Sequence, residues 1–148
     1  MSDNWIILIP TRPDYVPEPH AQEAARALLA KLLPQAKVTA SVSSEIEFVH
    51  PFGNWSGVRC PLCHADIEEW CIEAITMASE TAFENLTVIT PCCGGTTSLN
   101  DLDYIWPAGF SRFCLEAQNP NVKDLDVQAV KRLEFILSCQ LRRIWRHL

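Results

Sequence analysis

The chain has 148 residues, a formal net charge of −6 at pH 7, 48% hydrophobic residues and 20% charged residues. This length and apolar fraction suffice for one domain with its own hydrophobic core, and they exclude an intrinsically disordered chain. The N-terminal residues lack the positive charge that begins a signal peptide, and no apolar run is long enough to cross a bilayer. We therefore expect one cytoplasmic domain over residues 1–148 that has no membrane partner.

The first third of the chain predicts a β-α-β unit. A continuous apolar run at residues 5–9 is typical of a strand that is buried on both faces. Alanines and leucines at helical spacing then follow a proline, which predicts a helix over residues 20–33. Alternation of apolar and polar residues at 38–49 indicates a second strand with one solvent-exposed face.

The rest of the chain predicts two more helices and another strand. Residues 66–79 have acidic residues on one side and an apolar stripe on the other, with Cys71 in the stripe, which indicates an amphipathic helix. Residues 110–117 are expected to form a strand. Apolar residues spaced by three and four predict a long C-terminal helix over residues 125–146, and its last arginines suit the negative end of the helix dipole. The predicted fold is α+β, with a zinc-binding insertion at about residues 58–97.

Four of the seven cysteines lie in two short segments, Cys60-Pro61-Leu62-Cys63 and Pro91-Cys92-Cys93-Gly94-Gly95. A C-x-x-C turn directs two sulfur atoms to one point, and a second turn can complete the tetrahedron of thiolates that structural zinc prefers. We therefore predict a structural zinc ion that is bound by four thiolates, those of Cys60, Cys63, Cys92 and Cys93. Adjacent side chains tend to point apart, so His64 or Cys71 is left open as a replacement for one ligand of the vicinal pair.

The two segments together resemble a split zinc ribbon or a pair of zinc knuckles. This resemblance covers about a quarter of the chain and implies a structural metal without an activity, since such turns occur in enzymes, interaction modules and nucleic-acid binders alike. The odd number of cysteines also fits a metal and a few buried thiols better than a set of disulfides.

Redox chemistry is the alternative interpretation of the first segment. Cys60-Pro61-Leu62-Cys63 before a helix resembles the C-P-x-C active site of glutaredoxins, and Thr90-Pro91 is similar to the cis-proline segment that faces such a site. The resemblance implies that a helix N-terminus lowers the pKa of Cys60, that Cys60 attacks a disulfide, and that Cys63 resolves the intermediate. Two further cysteines directly after the proline have no use in such an enzyme, which favours the zinc site.

Charge is distributed unevenly along the chain. No lysine or arginine lies between Cys60 and Ser111. The same segment contains eight acidic residues: Asp66, Glu68, Glu69, Glu73, Glu80, Glu84, Asp101 and Asp103. Because affinity for phosphate groups comes mainly from lysine and arginine, we do not expect nucleic-acid binding.

The sequence favours a non-catalytic function, because no acid, base and nucleophile can be assembled from it into one site. A helix that is held by zinc and exposes Asp66, Glu69 and Glu73 predicts a protein partner with a basic surface, attracted by electrostatic steering. An inhibitor of the immunity or antitoxin type, or an adaptor, would have these properties.

Overall fold

The structure, a computed structural model, describes residues 2–148, which form eight strands and three α-helices. The strands are β1 (Asn4–Pro10), β2 (Lys37–Val49), β3 (Val58–Arg59), β4 (Thr87–Ile89), β5 (Thr96–Ser98), β6 (Asp103–Tyr104), β7 (Gly109–Gln118) and β8 (Leu141–His147). The helices are α1 (Pro19–Leu32), α2 (Glu68–Ser79) and α3 (Val127–Leu137). The predicted α+β class is confirmed, and β1, α1, β2 and β7 lie close to their predicted bounds.

Four strands form one antiparallel sheet in the order β2-β7-β1-β8. Along the chain, this sheet and its two helices read β1, α1, β2, β7, α3, β8. That is the β-α-β-β-α-β order of the ferredoxin-like, or split β-α-β, motif. α1 and α3 pack on the same face of the sheet, where Leu29 and Leu133 meet Leu115 of β7 in one apolar core.

β1 lies at the centre of the sheet because its apolar run fills both faces. Ile6 and Leu8 belong to the core beneath the helices. Ile7 and Ile9 belong to a second core on the opposite face, together with Ile144 of β8. These four side chains are each at most 1% exposed. A strand that is this deeply buried needs a hydrogen-bonded neighbour at each edge, since water cannot satisfy its backbone groups.

The predicted long C-terminal helix is wrong. α3 ends at Leu137, and Ser138 follows in the left-handed conformation (φ 57°, ψ 40°) with its N–H bonded to carbonyl groups of the last helical turn. The chain then returns as β8 and pairs with β1 along its whole length. Leu141 packs towards the helices and Ile144 towards the other face. Pairing with β1 overrides the local helical pattern because unpaired backbone groups of a buried strand are costly.

The chain between β2 and β7, residues 50–108, is an insertion that we call the cysteine module. It contains α2 and two short two-stranded sheets, β3-β6 and β4-β5. The buried side chains of the module include Ile67, Cys71, Leu99 and Tyr104, and Phe110 of β7 packs in the same cluster. Apolar contacts therefore join the module to the main sheet.

Polar contacts from β8 also hold the module against the sheet. The Nη1 atom of Arg142 donates to the carbonyl oxygens of Asn100 (2.8 Å) and Ala108 (2.9 Å). The side-chain amide of Asn100 donates in turn to the carbonyl oxygen of Thr11 (2.9 Å). Gly109 permits this approach, because a Cβ atom there would lie 2.8 Å from Nη1 of Arg142. Arg142 therefore satisfies carbonyl groups of the module, and its predicted place at a helix end is wrong.

We expect the substitution Arg142→Ala to lower the free energy of unfolding by about 2–4 kcal/mol, because it leaves buried carbonyl groups without a donor. The matched control is Arg132→Ala, since Arg132 is exposed on α3; its effect should stay within about 0.5 kcal/mol. Urea unfolding followed by fluorescence measures both. Equal effects of the two substitutions would show that the Arg142 contacts do not stabilise the fold.

Candidate metal centre

The two cysteine segments form the same six-residue turn, at residues 60–65 and 90–95. In each turn the N–H of the first residue donates to the carbonyl of the sixth, and the N–H of the fifth donates to the carbonyl of the first. These bonds measure 2.8 and 2.9 Å in the first turn and 2.9 and 2.9 Å in the second. The fifth residue has a positive φ in both turns, 67° at His64 and 71° at Gly94.

The backbone on either side of the turns continues this correspondence. Ile89 of β4 lies opposite Thr96 of β5 in an antiparallel pair. Arg59 and Asp66 form the corresponding bridge around the first turn. Each position in the second hairpin thus matches the position 30 residues earlier. Two copies of one hairpin agree with the resemblance to a pair of zinc knuckles.

The two turns bring four thiols together. The sulfur atoms of Cys60, Cys63, Cys92 and Cys93 all lie within 4.8 Å of one another. The sulfurs of Cys63 and Cys92 are 3.2 Å apart, and those of Cys60 and Cys93 are 3.8 Å apart. Four sulfurs at the corners of a tetrahedron, each bonded to zinc at about 2.3 Å, would be separated by about 3.8 Å. The cluster therefore has the dimensions of a four-thiolate site and could hold a metal ion.

The two turns differ in where their cysteines stand. Cys63 and Cys93 both occupy the fourth position, but the first position holds Cys60 in one turn and Thr90 in the other. Cys92, at the third position, supplies the remaining sulfur. Thr90 is 1% exposed, and its hydroxyl oxygen lies 3.2 Å from the sulfur of Cys93. The sequence indicated Thr90 only through the glutaredoxin resemblance and not as a neighbour of the thiol cluster, although the shared proline at the second position of both turns is a signal for that role.

The thiols of the cluster ionise unequally. Burial opposes the thiolate of Cys60, but backbone N–H groups of its turn outweigh burial and lower its pKa to about 6. A backbone N–H also favours the thiolate of Cys63, yet the proton that it shares with Cys92 raises the pKa of Cys63 to about 12. The hydroxyl of Thr90 lowers the pKa of Cys93. A metal ion would replace the protons that these sulfurs otherwise share.

The two alternative ligands lie outside the cluster. Cys71 is fully buried in the core of the module, and burial raises the pKa of its thiol to about 11. His64 is exposed and is not among the clustered side chains. Both were left open by the sequence, and neither replaces a member of the vicinal pair in this arrangement.

The helix that follows the first turn begins later than predicted. α2 starts at Glu68 rather than at residue 66, so residues 64–67 separate Cys63 from the helix whose N-terminus the glutaredoxin resemblance places beside Cys60. The reason is that the N–H of Ile67 bonds to the carbonyl of Val58 (3.0 Å) and keeps the preceding residues in the hairpin.

The second feature of the glutaredoxin resemblance is also missing. The peptide bond between Thr90 and Pro91 is trans, as are all the peptide bonds that the structure describes in residues 2–148. The likeness of this segment to a cis-proline loop is thus restricted to the order of the residues.

The acidic residues predicted to meet a partner lie on the solvent side of the module. Glu69 and Glu73 are exposed on neighbouring turns of α2, and Asp66 is exposed just before the helix. The carboxylate of Asp66 accepts a hydrogen bond from the N–H of Glu68 (3.0 Å). None of these carboxylates takes part in the ion pairs that form within residues 2–148. Their charges are therefore available to a partner.

An apolar groove of about 500 Å³ borders this acidic face. It lies between α2 and β4, and its lining includes Trp70, Glu73, Met77 and Ile89. Met77 is 70% exposed and Ile89 is 67% exposed. The sequence did not indicate the groove, because it arises only where the two elements come together.

We expect Cys92→Ala to lower the metal content of the purified protein, and the double substitution Thr90→Cys, Cys92→Ala to restore it. The sulfur at position 90 would stand where Cys60 places its own sulfur in the first turn, so four thiolates would again converge. Elemental analysis of the two variants and the wild type measures the metal per chain. If both variants lose metal equally, a cysteine at position 90 does not replace the missing ligand, and the two turns do not place their first residues equivalently.

No protein-family model, curated protein or solved structure matches this chain. The structure provides one further constraint: within residues 2–148, no helix combines the length and the apolar character needed to span a bilayer.

Proposed function

We propose that the protein is a non-catalytic, zinc-stabilised binding protein whose acidic face on α2 meets a basic surface of a partner protein. The observation that carries this proposal is the combination of Glu69 and Glu73, both exposed without an ion-pair partner, with the exposed apolar groove beside them. Interfaces commonly pair an apolar centre with a charged rim, and the rim sets the association rate and the choice of partner.

The chemistry of the cluster favours zinc over other metals. Four cysteine sulfurs form a soft donor set, and closed four-thiolate sites of this kind are typical of structural zinc. Cys60 is buried, and the hydroxyl of Thr90 orients towards the sulfur of Cys93, as an outer-shell group does around a metal ligand. Such an ion would link the two turns and thereby hold α2 in place.

We expect about one zinc per chain in protein purified without added metal, because four thiolates coordinate a single tetrahedral ion. Cys63→Ser should lower the zinc content below about half an equivalent, whereas the control Cys139→Ser, outside the cluster, should keep it. Elemental analysis measures the content, and near-ultraviolet circular dichroism reports whether chelation disorders the module that contains Trp55 and Trp70.

A redox function of Cys60 and Cys63 would give a different result. Protein without zinc that cycles reversibly between a reduced state and a Cys60–Cys63 disulfide would support a glutaredoxin-like thiol-disulfide oxidoreductase. The same result would overturn the structural role of the cluster, since a dithiol in redox use cannot also be a permanent set of zinc ligands.

The sign of the charge on the module determines which kind of partner it attracts. Its long acidic segment lacks lysine and arginine, so its field repels acidic surfaces and nucleic-acid phosphates and attracts cationic side chains. The apolar groove requires that the partner also presents an apolar side chain among its basic residues. An immunity or antitoxin-type inhibitor of a basic protein, or an adaptor, fits these requirements.

We expect the double substitution Glu69→Lys, Glu73→Lys to abolish retention of the partner in a pull-down from the native host at low and moderate salt. The matched control is Glu45→Lys, Glu47→Lys, which changes the net charge equally but alters exposed residues of β2. The wild type and the control should retain the same protein, with weaker retention as salt screens the charges. Retention by all three proteins alike would contradict a role for the acidic face.

A further inference from the structure

An open cleft of about 1050 Å³ lies at the end of the main sheet. None of the four clustered cysteines lines it. Its walls include the start of β1, the end of β8, the loop of residues 119–123 and Trp106 of the cysteine module. The volume is that of a site for a small organic molecule. Neither the metal centre nor the acidic face uses any of these residues.

Two tryptophans give the cleft an aromatic wall. The rings of Trp106 and Trp145 meet edge to face, with their centroids 6.4 Å apart. Trp106 is 41% exposed, and it directly precedes Pro107. Large aromatic side chains that line an open cleft offer apolar area at a low cost in conformational entropy, and they contact flat molecules well.

The polar groups of the cleft are amides, a histidine, a lysine and the guanidinium of Arg146. Asn4 and His147 are joined by a hydrogen bond of 2.7 Å on one side, and Asn121 and Lys123 lie in the loop opposite. Of the residues that the structure describes, no aspartate or glutamate lines this cleft. This composition contrasts with the net charge of −6 of the whole chain.

The acidic residues that neighbour the lining in sequence, Asp3 and Asp124, already have partners. Asp3 accepts a hydrogen bond from the side-chain amide of Asn119 (3.0 Å), and Asp124 pairs with Arg143 at 3.0 Å. The guanidinium of Arg143 also lies over the ring of Trp145, 5.6 Å from its centroid. Arg146 also lines the cleft, but its guanidinium donates to the carbonyl oxygen of His50 (2.8 Å) and lies over the ring of Phe52. The ammonium of Lys123 is therefore the remaining cation of the lining, and within residues 2–148 no carboxylate of the lining competes for it.

We propose that this cleft binds a small organic anion with a flat apolar body. The apolar body lies against Trp106 and Trp145, and the anionic group lies towards Lys123 and the amide groups of the loop. Both parts are needed, because a lysine that is exposed to water provides little affinity by itself. The inference is independent of the acidic face, which selects ligands of the opposite charge.

Two fluorescent probes that share one ring system separate these contributions in the purified, metal-containing protein. 1-Anilinonaphthalene-8-sulfonate carries the negative charge, and N-phenyl-1-naphthylamine lacks it. We expect the sulfonate to bind at one site per chain and about tenfold more tightly than the neutral probe. Trp106→Ala and, separately, Lys123→Glu should each weaken sulfonate binding about tenfold.

The control is Lys131→Glu, Phe135→Ala, because these two exposed residues of α3, a cation and an aromatic residue, line a separate pocket outside the cleft. It should leave sulfonate binding unchanged. Equal binding of the two probes would overturn the proposal, as would unchanged sulfonate binding by Lys123→Glu. Lys123 lies in an exposed loop, so this variant provides the decision even if Trp106→Ala fails to fold.

Discussion

The cysteine module depends on the convergence of four thiols at the point where two hairpins meet. Its regular structure is one helix and four very short strands, and its buried side chains form a core of their own that includes Phe110 of β7. Structural zinc in peptides of this kind contributes about 10–16 kcal/mol of binding energy near neutral pH, which becomes folding energy. A zinc ion bound as proposed would link residues 60–63 to residues 92–93 and fix β4 against α2, and the acidic face and the groove beside it would then both depend on the ion.

Local sequence patterns correctly predicted the elements whose burial follows directly from those patterns. The run at 5–9 is buried on both faces, and the stripe of α1 faces a single core, so burial and sequence pattern agree. β8 could not be predicted in this way, because Leu141 and Ile144 fit a helical stripe as well as the two faces of a strand. The decisive requirement came from β1, whose second edge needs a partner, and that requirement belongs to the sheet rather than to the segment.

The metal site shows the same limit at a smaller scale. The spacing of the cysteines was sufficient to predict the four clustered thiols, because the geometry of a C-x-x-C turn is local. The role of Thr90 was not apparent, since it requires that two turns 30 residues apart have the same hydrogen bonds. The start of α2 was also misjudged, because the N–H of Ile67 pairs across the hairpin instead of beginning a helix.

The arginines of β8 explain how an acidic module and a sheet that carries positive charge coexist in one small protein. Arg142 donates its hydrogen bonds to carbonyl groups of the module. Arg146 donates to the carbonyl of His50, and its Cζ atom lies 4.3 Å from the centroid of the Phe52 ring. These two guanidinium groups therefore hold the module against the sheet, and they do not form an exposed basic surface. Since α2 has no cations of its own, the field outside the module stays negative. The cleft beside Trp145 is formed by other residues, and the lining that residues 2–148 give it contains cations and no carboxylate. One chain can therefore present two surfaces that select ligands of opposite charge.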